Sequence, residues 1–291
     1  MKKITNIIII GRNNSEHLLP HIIQLAKWLE DHQFKVYLDQ NSSSEIAKLE
    51  FSSGVIEQLI PKIDLAIIIG GDGTLLSAGR QLVSYDIPLI GINQGKLGFM
   101  TDIAINDMLS AIEDILLKHN YHEEQRTLLS AQVFRNQQKI NHSLALNDIV
   151  ISRGATGSMI EFEMSINHQF VHSQKSDGVI FATPTGSTAY SLAAGGAILH
   201  PHSKVFSIVP ICPQSMSNRP IVISEDDIIE LKLIKDNTTI LHYDGQDYLN
   251  LQIGDQIIIQ KFNQQLRLFH PDNYNYYNTL RNKLHWAKRV S

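Results

Sequence analysis

The stretch Asp64-Leu65-Ala66-Ile67-Ile68-Ile69-Gly70-Gly71-Asp72-Gly73-Thr74-Leu75-Leu76 constrains the fold more than any other part of the chain. An apolar run of strand length stops at Gly-Gly-Asp-Gly-Thr. Leu75, Leu76, Gly79, Leu82 and Val83 then follow at helical spacing. A strand that breaks at a glycine turn and re-enters a helix presents backbone N–H groups to phosphate. Glycine on both sides of Asp72 admits close approach of a ligand. The carboxylate has three readings at this level: a proton acceptor, a metal ligand acting through water, or a cap on the following helix.

Neighbouring segments put this turn in context. Ile4 to Ile10 and Ile87 to Ile92 are apolar with little alternation, as strands buried on both faces are. Phe34 to Leu38 is a further strand. Between the first two strands, Leu18, Leu19, Ile22, Ile23, Ala26 and Leu29 form one helical face, with Asn13, Asn14 and Ser15 as cap candidates and Pro20 in the first turns. The serine-rich segment 41–53 reads as a loop or weak helix. Strands alternating with helices predict a doubly wound α/β domain with ligands at the carboxyl ends of its strands. The strand after the glycine turn also ends in a polar glycine turn, Asn93-Gln94-Gly95-Lys96-Leu97-Gly98-Phe99. Two such turns on one sheet edge point to a site more firmly than either alone. A helix with Ile105, Met108, Leu109, Ile112, Ile115 and Leu116 on one face follows.

After about residue 120 the helical spacing fades. Short strand patterns succeed one another, with Asn167-His168 as a hairpin turn. The expected organisation is an α/β domain of residues 1–120 plus 271–291 and a second, β-rich domain of residues 121–270, with the C-terminal tail, helical from Leu280 to Val290, packing back on the first. Asp177 to Gly196 departs from plain strand patterning. A strand runs into Thr183-Pro184-Thr185-Gly186-Ser187-Thr188, then into small residues around one aromatic, Tyr190. The ring would stack on a base, or sit in the core of a tightly packed helix. Asn147-Asp148 inside an apolar pattern costs desolvation unless paired; ribose hydroxyls or an internal hydrogen-bond network would serve.

Composition narrows the partners. With 43% hydrophobic and 19% charged residues in 291, the chain is globular, and a net charge of −4 gives no basis for nucleic-acid binding. The initial apolar run ends at Gly11, too soon for a leader or a membrane span. The single cysteine, Cys212, lies between Ile211 and Pro213 and reads as buried or inert; the lack of a possible internal disulfide fits a reducing cytoplasm. Thirteen histidines are scattered, and His200-Pro201-His202 lacks ligand spacing, so no resident metal site is expected.

Taken jointly, Gly70-Gly71-Asp72-Gly73-Thr74, Asn93 to Phe99, Asn147-Asp148, Ser176-Asp177-Gly178, Thr183 to Gly196, Asp244-Gly245-Gln246, and His270-Pro271-Asp272 with the tail from Tyr274 to Trp286 resemble the NAD kinases over essentially the whole length. Gly-Gly-Asp-Gly alone also occurs in lipid kinases and phosphofructokinases, whereas the order of all the motifs is specific. The tail is most similar to that of Gram-negative bacterial members. The resemblance implies transfer of the ATP γ-phosphoryl group to the 2′-hydroxyl of the adenosine ribose of NAD, with Mg²⁺ or another divalent cation accompanying ATP. It implies Asp72 as general base, pointing at a ribose hydroxyl rather than capping a helix, with Asp72 and Gly73 lining that ribose. Gly70, Gly71, Gly73 and Thr74 form the phosphate turn, and Asn147 and Asp148 are the paired ribose contacts. Where the family usually carries Glu, Asp148 is one methylene shorter. Thr188, Ala189, Tyr190, Ser191, Leu192 and Ala193 would form the adenine pocket, and Ser158, Lys175, Asp177 and Gln246 further dinucleotide contacts. The family also implies a homodimer or homotetramer without membrane or nucleic-acid partners. A related lipid or sugar kinase, and a catalytically silent NAD(P) sensor, are the rival readings.

Overall fold

The computed structural model describes residues 3–95, 97–154, 158–235 and 238–286. Lys96 of the second glycine turn and residues 287–290 of the expected tail helix therefore lie outside the described residues. By internal contacts the chain forms two units: the residues up to Gln125 joined by those from Leu266 onward, and Arg126–Gln265.

The first unit is built on one sheet. Its strands lie in the order Ser52–Gly54, Lys35–Asp39, Asn6–Gly11, Leu65–Gly70, Leu89–Asn93, Leu266–Pro271 and Tyr121–Arg126, and the short Ile103–Ala104 also pairs with Leu89–Asn93. The first five pair in parallel, as does Leu268 with Leu89. Read in chain order, that is the doubly wound arrangement, with its reversal between Asn6–Gly11 and Leu65–Gly70. Alternation along these strands splits their apolar side chains between two faces. Ile7, Ile9, Ile67 and Ile69 pack against Ile22, Leu25 and Leu29 of helix Leu19–Asp31 and against Ile112 and Ile115 of helix Met108–Leu116. Ile8 and Ile68, turned the other way, are equally buried, which is why both strands read as uninterrupted apolar runs.

Details differ from expectation at several places. Ser15 makes no side-chain cap, and the α-helix starts from Leu18 with Pro20 in its first turn. Segment 41–53 is held by 3₁₀ turns at Gln40–Ser42 and Ile46–Lys48 and by the strand Ser52–Gly54. The strand Leu266–Pro271, expected among the β-rich residues, is a member of the first sheet. It delivers His270, 1% exposed, whose Nδ1 lies 3.0 Å from Asp102 Oδ2 and Nε2 3.2 Å from Glu124 Oε2. The ring stacks on Tyr274 at 4.0 Å. The tail continues into helix Tyr276–Leu284, capped by the Asn275 side chain, which accepts from the Asn278 N–H at 3.0 Å.

The second unit contains two six-stranded sheets with antiparallel pairings. One runs Ile221–Ser224, Val205–Ile211, Gly178–Ala182, Asp148–Ser152, Ile240–Tyr243, Asp247–Asn250. The other runs Gln169–Ser176, Ile160–Ile166, Ile229–Lys235, Gln256–Lys261, Leu129–Arg135, Gln138–Ala145. Ile149, Phe181, Phe206 and Leu241 of the first meet Val133, Phe162, Leu231 and Ile257 of the second in one core, the packing of a β-sandwich. Full burial of each such aromatic contributes about 2–3 kcal/mol before losses of side-chain freedom. The opposite face of the first sheet carries a smaller cluster, Val150, Ile180, Ala182 and Val209, with Ala194 packed on it. The hairpin at Asn167-His168 has φ of 49° and 62°, the left-handed pair a two-residue turn requires. Cys212, read as buried or inert, is not buried: it follows the end of strand Val205–Ile211 with φ 43°, where the chain turns out of the sheet.

Candidate active site

In the first unit the glycine turn sits at the carboxyl end of strand Leu65–Gly70, beside the reversal of strand order. Gly71 occupies the N-cap position of helix Asp72–Leu82, with extended backbone (φ −124°, ψ −177°), and Asp72 is the first helical residue. Its carboxylate caps nothing on its own helix. It reaches instead across to the second glycine turn. Oδ2 accepts the Phe99 N–H at 2.8 Å, while Oδ1 accepts the N–H groups of Met100 and Thr101, each at 3.1 Å, and the Thr101 hydroxyl at 3.0 Å. A carboxylate oxygen has two lone pairs, so among the described residues Oδ1 is fully engaged and Oδ2 keeps one. Gly70 is needed for close approach: a Cβ there would lie 2.6 Å from Thr74 Oγ1. Gly73 is exposed at the tip of the turn and Thr74 is half-buried. The turns are also joined through the backbone, the Gln94 N–H donating to Gly70 O at 3.3 Å.

In the second unit Asn147, Asp148, Ala189, Tyr190, Asp244 and Gly245 line one cavity of about 430 Å³, together with Val150, Ser152 and His242. That volume falls in the usual range for small-molecule sites. Asp244 organises its floor. With φ 51°, and Gly245 at 64°, it turns the chain between strands Ile240–Tyr243 and Asp247–Asn250. Its carboxylate accepts the N–H groups of Leu146 at 3.0 Å, Asn147 at 2.7 Å and Asp148 at 3.1 Å. Asp148 is 5% exposed, and burial, with the Asp244 charge adding to it, raises its pKa to about 7. Burial lowers the pKa of His242, favouring the neutral imidazole.

The hydroxyl-rich loop is built differently from its sequence impression. Thr183 donates to Leu146 O at 2.5 Å and its backbone N–H to Asn147 O at 2.9 Å; Ser187 donates to Pro184 O at 2.7 Å. These hydroxyls are buried and fix the loop against Asn147 rather than facing a ligand. Gly186 lies so close that a Cβ would sit 2.0 Å from Asn147 O. Tyr190, by contrast, is 48% exposed, so its ring faces outward and is not a core residue. It opens the single helical turn Tyr190–Ala193. Thr188 and Leu192 are half-buried and Ala193 exposed, while Ser191 is buried with no hydrogen-bond partner for its Oγ among the described residues.

Other expected residues lie outside this cavity lining. Ser158 is exposed just before strand Ile160–Ile166. Lys175, half-exposed, lies 3.5 Å from Glu161 Oε2, and Asp177 pairs with Arg153 Nε at 3.0 Å. Gln246 is exposed, its N–H donating to Tyr243 O at 3.0 Å. The anchoring roles of Thr101 and Asp244 and the cavity residues Ser152 and His242 carried no direct signal. Only the glycine turns and the Asp244-Gly245 pair pointed near them.

A doubly wound unit that holds a carboxylate at its switch-point turn, and a sandwich whose cavity combines acids, amide and an exposed aromatic, define a two-unit nucleotide-binding protein. Residues 7–121 match the ATP-NAD kinase N-terminal domain and residues 146–270 the ATP-NAD kinase C-terminal domain. The chain is 45% identical over 285 residues to the NAD kinase of Chromobacterium violaceum, covering 98% of each. It is 42% identical over 290 residues to that of Neisseria gonorrhoeae, again 98% of each. The chain belongs to the NAD kinase family. Its fold is shared with yeast NADH kinase complexed with NADH (TM-score 0.90, 22% identity, 100% of this chain and 91% of that one). It is also shared with an NAD kinase from Archaeoglobus fulgidus in complex with ATP (TM-score 0.75, 23% identity, 97% and 99%).

Proposed function

We propose that this chain is an ATP-dependent NAD kinase that transfers the γ-phosphoryl group to the 2′-hydroxyl of the adenosine ribose of NAD, giving NADP and ADP, with Asp72 as general base. The observation that carries this reading is the state of the Asp72 carboxylate: among the described residues four donors hold it, and one lone pair of Oδ2 is left to take a proton. The ribose oxygen forms a bond to the γ-phosphorus as the bond to the ADP oxygen breaks, and the hydroxyl proton passes to Oδ2. General-base help of this kind is worth on the order of a hundredfold or more, the remainder coming from positioning and charge stabilisation.

On this reading Asn147 and Asp148 contact the ribose hydroxyls and Tyr190 lies against the adenine, with Thr188, Ala189, Ser191, Leu192 and Ala193 around it. Their shared loop framework and the cavity's size support that assignment. Ser158, Lys175, Asp177 and Gln246 supply further dinucleotide contacts, and Gly70, Gly71, Gly73 and Thr74 admit the donor phosphates. Among the described residues no three His, Cys, Asp or Glu side chains group as metal ligands. A cation such as Mg²⁺ would be held mostly by the phosphates of ATP and by waters. Bound with ATP, it would neutralise phosphate charge during transfer.

The same reading makes the protein a cytoplasmic homodimer or homotetramer. It is supported by the family resemblance and by exposed apolar side chains such as Phe170 on the outer strand Gln169–Ser176. Among the described residues no helix is long and apolar enough to cross a membrane.

The test is an assay with NAD, ATP and Mg²⁺ coupled to an NADP-specific dehydrogenase. Wild type should yield NADP, and Asp72→Asn should bind NAD normally while losing most of the rate. NAD binding without ATP consumption in the wild type would instead identify a sensor, and near-normal turnover in Asp72→Asn would remove the base assignment.

A further inference from the structure

Thr101 is fully buried, and its hydroxyl is committed on both sides. It donates to Asp72 Oδ1 at 3.0 Å and accepts from Asn93 Nδ2 at 2.9 Å. An amide nitrogen can only donate, so the Thr101 proton has one destination within this trio, the Asp72 carboxylate. The orientation of Asn93 is fixed in turn, because its Oδ1 accepts the Gly95 N–H at 2.7 Å. The polarity of the chain from Gly95 through Asn93 and Thr101 to Asp72 is therefore set by the backbone at its far end.

Steric exclusion acts on the same oxygen. A Cβ at Gly98 would lie 2.0 Å from Asp72 Oδ1 and 2.4 Å from Thr101 Oγ1, and the Gly98 N–H donates to Thr101 O at 2.9 Å. Any side chain at position 98 displaces the carboxylate. Gly98 has no φ in the left-handed region, so its need for glycine comes from space and not from backbone conformation.

We infer that Thr101, oriented by Asn93, and Gly98 are positioning residues for the phosphoryl transfer: the Thr101 hydroxyl adds a third donor to Oδ1 of Asp72 and Gly98 leaves the room for it, which holds the carboxylate with Oδ2, the oxygen with one donor, as the one that takes the ribose proton. This rests on Asp72 being the general base. Thr101→Val keeps the shape and removes the donor, and a hydrogen bond to a charged group is worth about tenfold to a hundredfold in a rate that depends on it.

The experiment measures kcat and the NAD KM of the full chain for Thr101→Val, Thr101→Ser, Gly98→Ala, Asp72→Asn and the double variant Asp72→Asn/Thr101→Val. Thr101→Val should lower kcat about tenfold to a hundredfold with the KM for NAD changed less than about threefold, and Thr101→Ser should restore the rate. In the Asp72→Asn background the Thr101→Val change should add nothing, since both act through one carboxylate. Should Thr101→Val fail to fold, Gly98→Ala carries the same kcat expectation. Wild-type kcat in Thr101→Val or in a folded Gly98→Ala, or a Thr101 effect that multiplies with Asp72→Asn, overturns the inference while a slow Asp72→Asn leaves the base assignment standing. A fast Asp72→Asn removes the base itself.

Discussion

Asp148 and Asp244 exchange backbone hydrogen bonds in both directions across the second unit's cavity: the Asp244 N–H donates to Asp148 O at 2.9 Å, and the Asp148 N–H donates to Asp244 Oδ1 at 3.1 Å. Two acids thus define the shape of one polar floor, Asp148 by its buried carboxyl group and Asp244 by the charge that holds three backbone N–H groups.

Replacing Asp244 with Ala strands three backbone donors, those of Leu146, Asn147 and Asp148. Each buried unsatisfied group costs about 1–3 kcal/mol, so a loss of at least about 3 kcal/mol is expected in urea titrations. Asp244→Asn, which keeps an acceptor, should lose less. NAD affinity, followed by calorimetry, should fall in the alanine variant because Asn147 and Asp148 lose their common anchor.

The buried Asp148 carboxyl makes stability depend on pH. Its pKa rises from an ordinary 3.8 to about 7, through burial first and the Asp244 charge second. The folded state therefore binds this proton more tightly than the unfolded chain. The stabilisation is complete below the unfolded pKa, is lost as pH rises to the folded value near 7, and is constant beyond it. Asp148→Asn, which never ionises, should gain on wild type by a few kcal/mol in total across that window, as read from denaturant midpoints at a series of pH values. A gap that does not vary with pH would refute the assignment.

Tyr190 should be a residue of binding and not of stability. Its half-exposed ring has little packing to lose, whereas base–aromatic stacking contributes about 1–3 kcal/mol. Tyr190→Ala is expected to weaken NAD binding roughly tenfold to a hundredfold while shifting the melting temperature little, and Tyr190→Phe should retain the affinity.

His270 gives a pH signature of the same sign in a higher window. Burial pulls its pKa down, but the hydrogen bonds and charges of Asp102 and Glu124 reverse that, and the net direction is up. A raised imidazole stabilises fully below its unfolded value of about 6.5 and loses that contribution as pH climbs through the folded value. His270→Gln should cost about 3–5 kcal/mol near pH 6, the cost of leaving two buried carboxylates without their cation. Chemical denaturation should show this gap narrowing in alkaline buffer.

The strand–turn–helix around Asp72 was legible because an apolar run, glycines and helical spacing are all local signals. The destination of its carboxylate was not. Thr101 lies 29 residues away, and nothing local distinguishes an acid that caps its own helix from one that reaches the neighbouring turn. The hydroxyl-rich loop misled in the other direction: Thr183 and Ser187 look ligand-facing by composition, yet their protons satisfy backbone carbonyls. Tyr190 had two open readings, and only its solvent exposure separates them. The burial of His270 between two acids depends on a strand that joins the first sheet from the far end of the chain, a pairing no local pattern records.

That late-arriving strand has a consequence for synthesis on the ribosome. Leu266–Pro271 sits beside Leu89–Asn93, yet residues 126–265 of the second unit are made between the two parts of the first. At about 5–20 residues per second, those 140 residues take roughly 7–28 s to emerge. Through that interval the first sheet lacks one of its inner strands, and the Leu89 end of its neighbour offers unpaired backbone to any passing chain. The sandwich can complete its own core before the doubly wound unit that precedes it in sequence, because the strand that finishes that unit is the later one to leave the ribosome.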